Sequence, residues 1–327
     1  MSKIYITGGE MRRSVFRKLA EWQSSRKAVI VELDLEAKTS RPCVEYVSPA
    51  EVCAEDLPAV LFKSASIAGD KLYACTSTEV LVYELPQFQL LHYVSLPCFN
   101  DLHHVAPTSR GTLLVVVTGL DMVAEVTTSG ELVRDWSVVG EDTWARFSKD
   151  VDYRRVATTK PHRSHPNHVF QLGDEIFVTR FEQRDAISLS QPGRRIDIAV
   201  QRPHDGLVFS DSVYFTTVDG HIVLANRHTL KVEKTYDLSA MNGPSKQILG
   251  WCRGLLPIDE RFLWAGFTRV RPTRFRENLS WIKSAGTSEK IYRPTHLALY
   301  DLQQSRCVDE LPLEPHGVGV VFSLLPL

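Results

Sequence analysis

The sequence predicts an all-β fold, a six-bladed β-propeller, from three observations. One strand pattern recurs six times, each copy belongs to a four-strand set in fixed order, and one strand is left over at the C-terminal end. The recurring element is a β-rich run ending in Thr or a small residue: IYIT (4–7), LYACT (72–76), LLVVVT (113–118), IFVT (176–179), VYFTT (213–217) and FLWAGFT (262–268). After each run, sometimes beyond an insertion, come two more strand-like segments around a polar turn, as in VLVYELPQFQLLHYV (80–94) and HIVLANRHTLKVEKTYDL (221–238).

A fourth strand precedes five of the six runs: VLFKSASIAGD (60–70), DLHHVAPTSRG (101–111), NHVFQLGD (167–174), DGLVFSD (205–211) and RGLLPIDE (253–260). Each ends in a Gly, Asp or Ser turn and is the candidate innermost strand of its blade. The first copy has no such strand before it, whereas HGVGVVFSLLPL (316–327) is unused and supplies it. Pairing the two ends closes the ring and removes exposed sheet edges. Two stacked β-sandwiches are the competing arrangement, but they do not require a fourfold strand set repeated six times. Residues 1–327 are therefore expected to form one propeller domain without long helices.

Composition sets further bounds. Lys plus Arg number 38 against 39 for Asp plus Glu, so no global charge favours nucleic acid or an anionic membrane. Basic runs without interleaved aromatics make nucleic acid an unexpected partner. No apolar run reaches the ~20 residues of a membrane span, and the first residues do not read as a secretory signal. Cysteines 43, 53, 75, 98, 252 and 307 form no CxxC pairs, as expected for reduced thiols in a cytoplasmic protein. Gly-rich nucleotide loops, HExxH, GxSxG and calcium-loop patterns do not occur, and no organic cofactor is expected.

Connections between blades and between the second and third strands of a blade share one face of a propeller. The long interruptions at 8–27, 140–165 and 267–294 all fall in this class, so they are expected on one face, where binding or catalysis usually resides. The first can form a short helix burying Val15, Phe16, Leu19 and Trp22, and the last another around Glu277 to Lys283. Both carry basic residues, among them Arg12, Arg26, Lys27, Arg269, Arg271, Arg274 and Arg293. They are expected either to form a positive rim that attracts a small anion or to stand as solvated loop charge.

Aligned at their starts, the inner strands place His104, His168 and Asp205 at equivalent positions, with His103, Asn167 and His204 one residue earlier and Cys252 and Arg253 in the sixth blade. The alignment admits a shift of one residue, which exchanges His103 with His104 or His204 with Asp205. The tail adds His316, because Pro315-His316-Gly317 parallels Pro203-His204-Asp205. His104, His168, His204 and His316 are thus candidate ligands of a divalent transition metal (Zn, Fe, Cu or Ni), with acid–base chemistry and structural hydrogen bonding as alternatives. His103, Arg253 and Asp205 are the candidate catalytic groups. Arg253 is also expected to hold a substrate anion, because a guanidinium on an inner strand needs one to offset desolvation. His162 and His165, in His-x-x-His-x-x-His with His168, can clamp a metal, support His168, bind substrate or simply face solvent. His92, His221, His228 and His296 read as surface or packing residues.

In layout the chain is similar to peptidyl amidating lyases, six-bladed propellers in which inner-strand histidines hold zinc. That resemblance is one of layout, histidines gathered at the channel mouth, and it stops there. The chain departs from those enzymes in showing neither a secretion signal nor a disulfide framework, so neither their substrate nor their zinc is carried over. The expectation is a cytoplasmic propeller enzyme of lyase, isomerase or hydrolase type, with a histidine site acting on a small anionic molecule. The alternative is a non-catalytic propeller that binds a ligand or docks a protein.

Overall fold

A strand such as LLVVV has no polar face, so protein must cover both of its sides. The structure, a computed structural model, describes residues 2–12, 23–54, 58–191, 193–243, 248–270 and 293–327. It covers such strands by stacking six four-stranded antiparallel sheets as blades. β1 (Lys3–Met11), β2 (Ser25–Asp34) and β3 (Thr39–Tyr46) belong to blade one. Blade two holds β4 (Ser66–Ala68), β5 (Lys71–Cys75), β6 (Val80–Glu84) and β7 (Gln89–Val94). Blade three holds β8 (Leu102–Pro107), β9 (Leu113–Val117), β10 (Met122–Val126) and β11 (Leu132–Ser137). Blade four holds β12 (Pro166–Leu172), β13 (Glu175–Arg180), β14 (Asp185–Ser188) and β15 (Arg195–Asp197). Blade five holds β16 (Leu207–Phe209), β17 (Ser212–Thr216), β18 (His221–Asn226) and β19 (Val232–Asp237). Blade six holds β20 (Trp251–Pro257), β21 (Phe262–Thr268), β22 (His296–Asp301) and β23 (Arg306–Pro312). Finally β24 (Val320–Pro326) returns to blade one.

The six recurring runs are the second strands, and the six expected inner strands are β4, β8, β12, β16, β20 and β24. Closure is as expected. β24 pairs antiparallel with β1, placing Ile4 opposite Pro326, Ile6 opposite Leu324 and Gly9 opposite Val320.

Period-two alternation sends successive residues of one strand into different blade interfaces. Leu113, Val115 and Val117 of β9 pack with Tyr73 and Val82 of blade two, while Leu114 and Val116 pack with Val169 and Val178 of blade four. Tyr5 and Ile30 meet Phe62 and Leu72 between blades one and two, and Phe177 meets Phe215 between four and five. Tyr214 meets Phe267 between five and six, and Ile4 and Val31 meet Trp264 and Leu297 between six and one. The core is therefore a ring of interfaces, each buried by two neighbouring sheets.

Among the described residues, no helix is long and apolar enough to cross a membrane. The helices expected around Val15 to Trp22 and Glu277 to Lys283 lie outside the described residues. The cysteines stand unpaired.

Candidate functional site

Near the entry of four inner strands the ladder is irregular, and these irregularities build the site. Thr7 faces Ser323 while Gly8 faces Val321, which leaves Phe322 as an extra residue. Leu102 faces Val117 while His104 faces Val116, leaving His103 extra. By the same count Asn167 is extra between Pro166 and His168, and Arg253 and Gly254 together oppose the single residue Gly266. A bulge of this kind bends its strand and re-aims the side chain. Hence His103 and His104, though adjacent, both enter the site. Gly254 takes a φ of +76°, and a Cβ there would lie 2.8 Å from the Phe322 carbonyl oxygen, so only glycine fits.

On the interior side, His104 and His168 stack with ring centroids 3.6 Å apart. His104 Nδ1 accepts from the Val169 N–H at 3.2 Å. The Ser66 hydroxyl donates to the Val105 carbonyl at 2.9 Å, so at 3.0 Å it accepts from His104 Nε2–H. Both ring nitrogens of His104 are thereby used. Burial, and then the His168 ring, hold His104 well below the ordinary histidine value. His168 is pushed down to about 4 by burial, and its Nδ1 has no hydrogen-bond partner among the described residues.

Beside this stack lies a dyad. His204, 1% exposed, has Nδ1 3.4 Å from Asp205 Oδ1. Asp205 Oδ2 accepts from the Gly254 N–H at 2.9 Å and from the Thr216 hydroxyl, tying blade five to blade six. Burial alone would raise the Asp205 carboxyl, but the His204 hydrogen bond and charge and the Thr216 bond bring it below its usual range. Burial lowers His204 against the opposing pull of Asp205. With Nδ1–H directed to the carboxylate, the basic nitrogen is Nε2, which is buried and has no partner among the described residues.

Around the dyad stand Phe322, Arg253 and His103. The Phe322 ring is 5.6 Å from His204, and the Arg253 guanidinium lies 4.7 Å over it. His103 and His204 have ring centroids 6.0 Å apart. His103 donates from Nδ1 to the Asp101 carbonyl at 2.8 Å, and burial followed by Lys63 keeps it well below its ordinary value. Lys63, its side chain 6% exposed, pairs with the Asp101 carboxylate. Farther along the crossing into blade four, His165 sits 4.9 Å from His103 and 5.0 Å from His162 by ring centroid.

The structure therefore brings together His103, His104, His162, His165, His168, His204, Asp205 and Arg253, and it leaves His316 apart. His316 ends a short 3-10 turn, and its Nδ1 meets Ser40 Oγ of β3 at 2.9 Å, on the outermost strand of blade one. The tail enters the site through Phe322 instead, because Pro315-His316 lies in the 3-10 turn Glu314–His316, ahead of the start of β24 at Val320. The expected four-imidazole set is thus not assembled: His316 is elsewhere, and His104 has no ring nitrogen to offer. Arg271 and Arg274 lie outside the described residues. Several charges of the expected positive rim are taken up locally, Arg26 by Glu10, Arg269 by Glu314 and Arg293 by Glu310. Among the other histidines, His296 is buried against Phe267 and His221 bonds Asp219.

Sequence reasoning missed Lys63, Asp101 and Phe322. The signal for the first two was present, since Lys63 lies in an inner-strand segment and Asp101 stands two residues before His103.

Fold and site together define a six-bladed β-propeller with a histidine-rich cluster at the entry of its inner strands. The chain is similar over 100% of its length, and 99% of the other's, to a protein of unknown function from Bacteroides caccae, with 13% identity and a TM-score of 0.62. That likeness concerns the fold. No family model and no curated protein matches the chain.

Proposed function

We propose that the protein is an enzyme of lyase, isomerase or hydrolase type that moves a proton on a small anionic substrate at the axial end of the propeller. The observation that carries this reading is the His204–Asp205 dyad: a neutral imidazole fixed at Nδ1 by a buried carboxylate, with Nε2 as its basic atom. Such an imidazole accepts a proton from substrate or water, and the neighbouring carboxylate stabilises the imidazolium that forms. Arg253, whose charge His204 feels, supplies the cation for a carboxylate or phosphate. Phe322 and the His104–His168 stack form walls that exclude water and sharpen these interactions.

Inorganic phosphate and small hydroxy- and keto-acids serve as probes in thermal unfolding. A binder at about 100 times its Kd should raise the Tm of wild-type protein by roughly 3 °C or more. Arg253→Gln should abolish that rise. In His204→Gln, any turnover found with a binding probe should fall by at least about 10²-fold while binding persists. No response to any probe, or a response that Arg253→Gln leaves intact, contradicts the reading. A purely ligand-binding propeller is the second reading, favoured by the burial of His204 Nε2. It predicts the thermal response without turnover.

A further inference from the structure

We propose that a divalent transition-metal ion binds between His162, His165 and Asp101, where the crossing from blade three to blade four passes the entry of β8. The site uses none of the His204–Asp205 dyad, so either assignment can fail alone.

One ligand atom from each of the three residues lies within 4.8 Å of the others. The two Nδ1 atoms face each other at 2.8 Å. Nitrogens sharing a tetrahedral metal at about 2.0–2.1 Å stand roughly 3.3 Å apart, so a small separation of the rings admits the ion.

The tautomer of His162 is set from outside. The Thr159 hydroxyl donates to the Gly119 carbonyl at 2.5 Å and therefore accepts from His162 Nε2–H at 3.2 Å. His162 Nδ1 consequently carries its lone pair toward His165. A polar partner on the far nitrogen is the support that metal-bound imidazoles usually have.

The loop is also fixed in place. The buried carboxylate of Asp121 accepts from the backbone N–H groups of Arg163, Ser164 and His165 at 2.9, 3.0 and 2.9 Å. Both His165 and Asp101 hold left-handed backbone conformations, with φ of 55° and 50°. Non-glycine residues carry this at a cost, and it tends to persist where the surroundings over-determine the geometry. Lys63 is a competing cation on Asp101 Oδ1, but the carboxylate has a second oxygen.

Two imidazoles and a carboxylate suit zinc, iron, nickel or copper rather than calcium or magnesium, and three protein ligands leave a position open for water or an anion. An ion there, with Lys63, would add positive charge close to His103 and the dyad, as an anionic substrate requires.

The test is a cobalt(II) titration of untagged, chelator-stripped protein, followed in the visible range and competed with zinc. Wild-type protein should develop cobalt ligand-field bands that zinc abolishes. His162→Ala and His165→Ala, with wild-type circular dichroism, should each weaken binding by at least about tenfold. Exposed His228→Ala should not. Absence of the bands in wild-type protein, or affinity unchanged in both crossing variants, overturns the proposal. Should the variants fail to fold, the wild-type bands alone decide.

Discussion

Acidification from pH 6.5 toward 4 should destabilise the fold by about 2–3 kcal/mol through His168 alone, with further losses from His104 and His204. The unfolded chain takes up a proton on each imidazole near 6.5, whereas folded His168 resists until about pH 4, chiefly because burial penalises its charge. Between those values the unfolded state binds more protons. Stability is therefore full above 6.5 and is lost as pH falls. Asp205, whose folded value is lowered, acts in the same direction further down, where its carboxylate protonates. His221 opposes them: its value is raised by Asp219, so its contribution is present below 6.5 and fades as pH rises through the folded value. Urea unfolding at a series of pH values checks this. A midpoint unchanged between pH 7 and 5 would contradict it.

The second large effect concerns ring closure. A Cβ at Gly8 would stand 1.8 Å from the Val320 carbonyl oxygen and 2.9 Å from its carbon, atoms of the strand that closes blade one. Backbone of a paired strand cannot rotate aside as a side chain can. Gly8→Ala should separate β1 from β24 and cost at least about 3 kcal/mol. Gly193→Ala, where a Cβ meets nothing within 4 Å, should stay within about 0.5 kcal/mol. Equal urea midpoints for the two variants would mean that the termini do not share a tightly paired sheet. Because Phe322 reaches the site from β24, Gly8→Ala should also disturb ligand binding there.

The architecture was legible because each blade repeats one period-two pattern, and because runs such as LLVVV have apolar residues on both faces. The unused C-terminal strand announced the closure. The site was legible only in part. Histidines 103, 104, 168 and 204 converge because they open successive inner strands, a fact of topology that alignment captures. Which way each points was not legible, since bulges at His103, Asn167, Arg253 and Phe322 break the alternation on which an alignment depends. His316 misled for a related reason: its Pro-His pair matches Pro203-His204 of blade five, but here the pair lies inside a 3-10 turn, Glu314–His316, that ends before β24 begins. The left-handed conformation of His165 is likewise accompanied by a tertiary contact, its N–H donating to the Asp121 carboxylate 44 residues away in the chain, which the local sequence does not show.

The functional account depends on imidazoles held neutral, each in one tautomer, around a common end of the inner strands. Nitrogen NMR of histidine-labelled protein, followed as the pH is lowered through about 6.5, observes this directly. On acidification through about 6.5, His104 and His204 should stay neutral after an ordinary imidazole has taken up its proton, His104 with its proton on Nε2 and His204 with its proton on Nδ1. If His104 and His204 instead titrate near 6.5 as ordinary imidazoles do, the buried cluster does not exist in solution, and the proposed proton-transfer site goes with it.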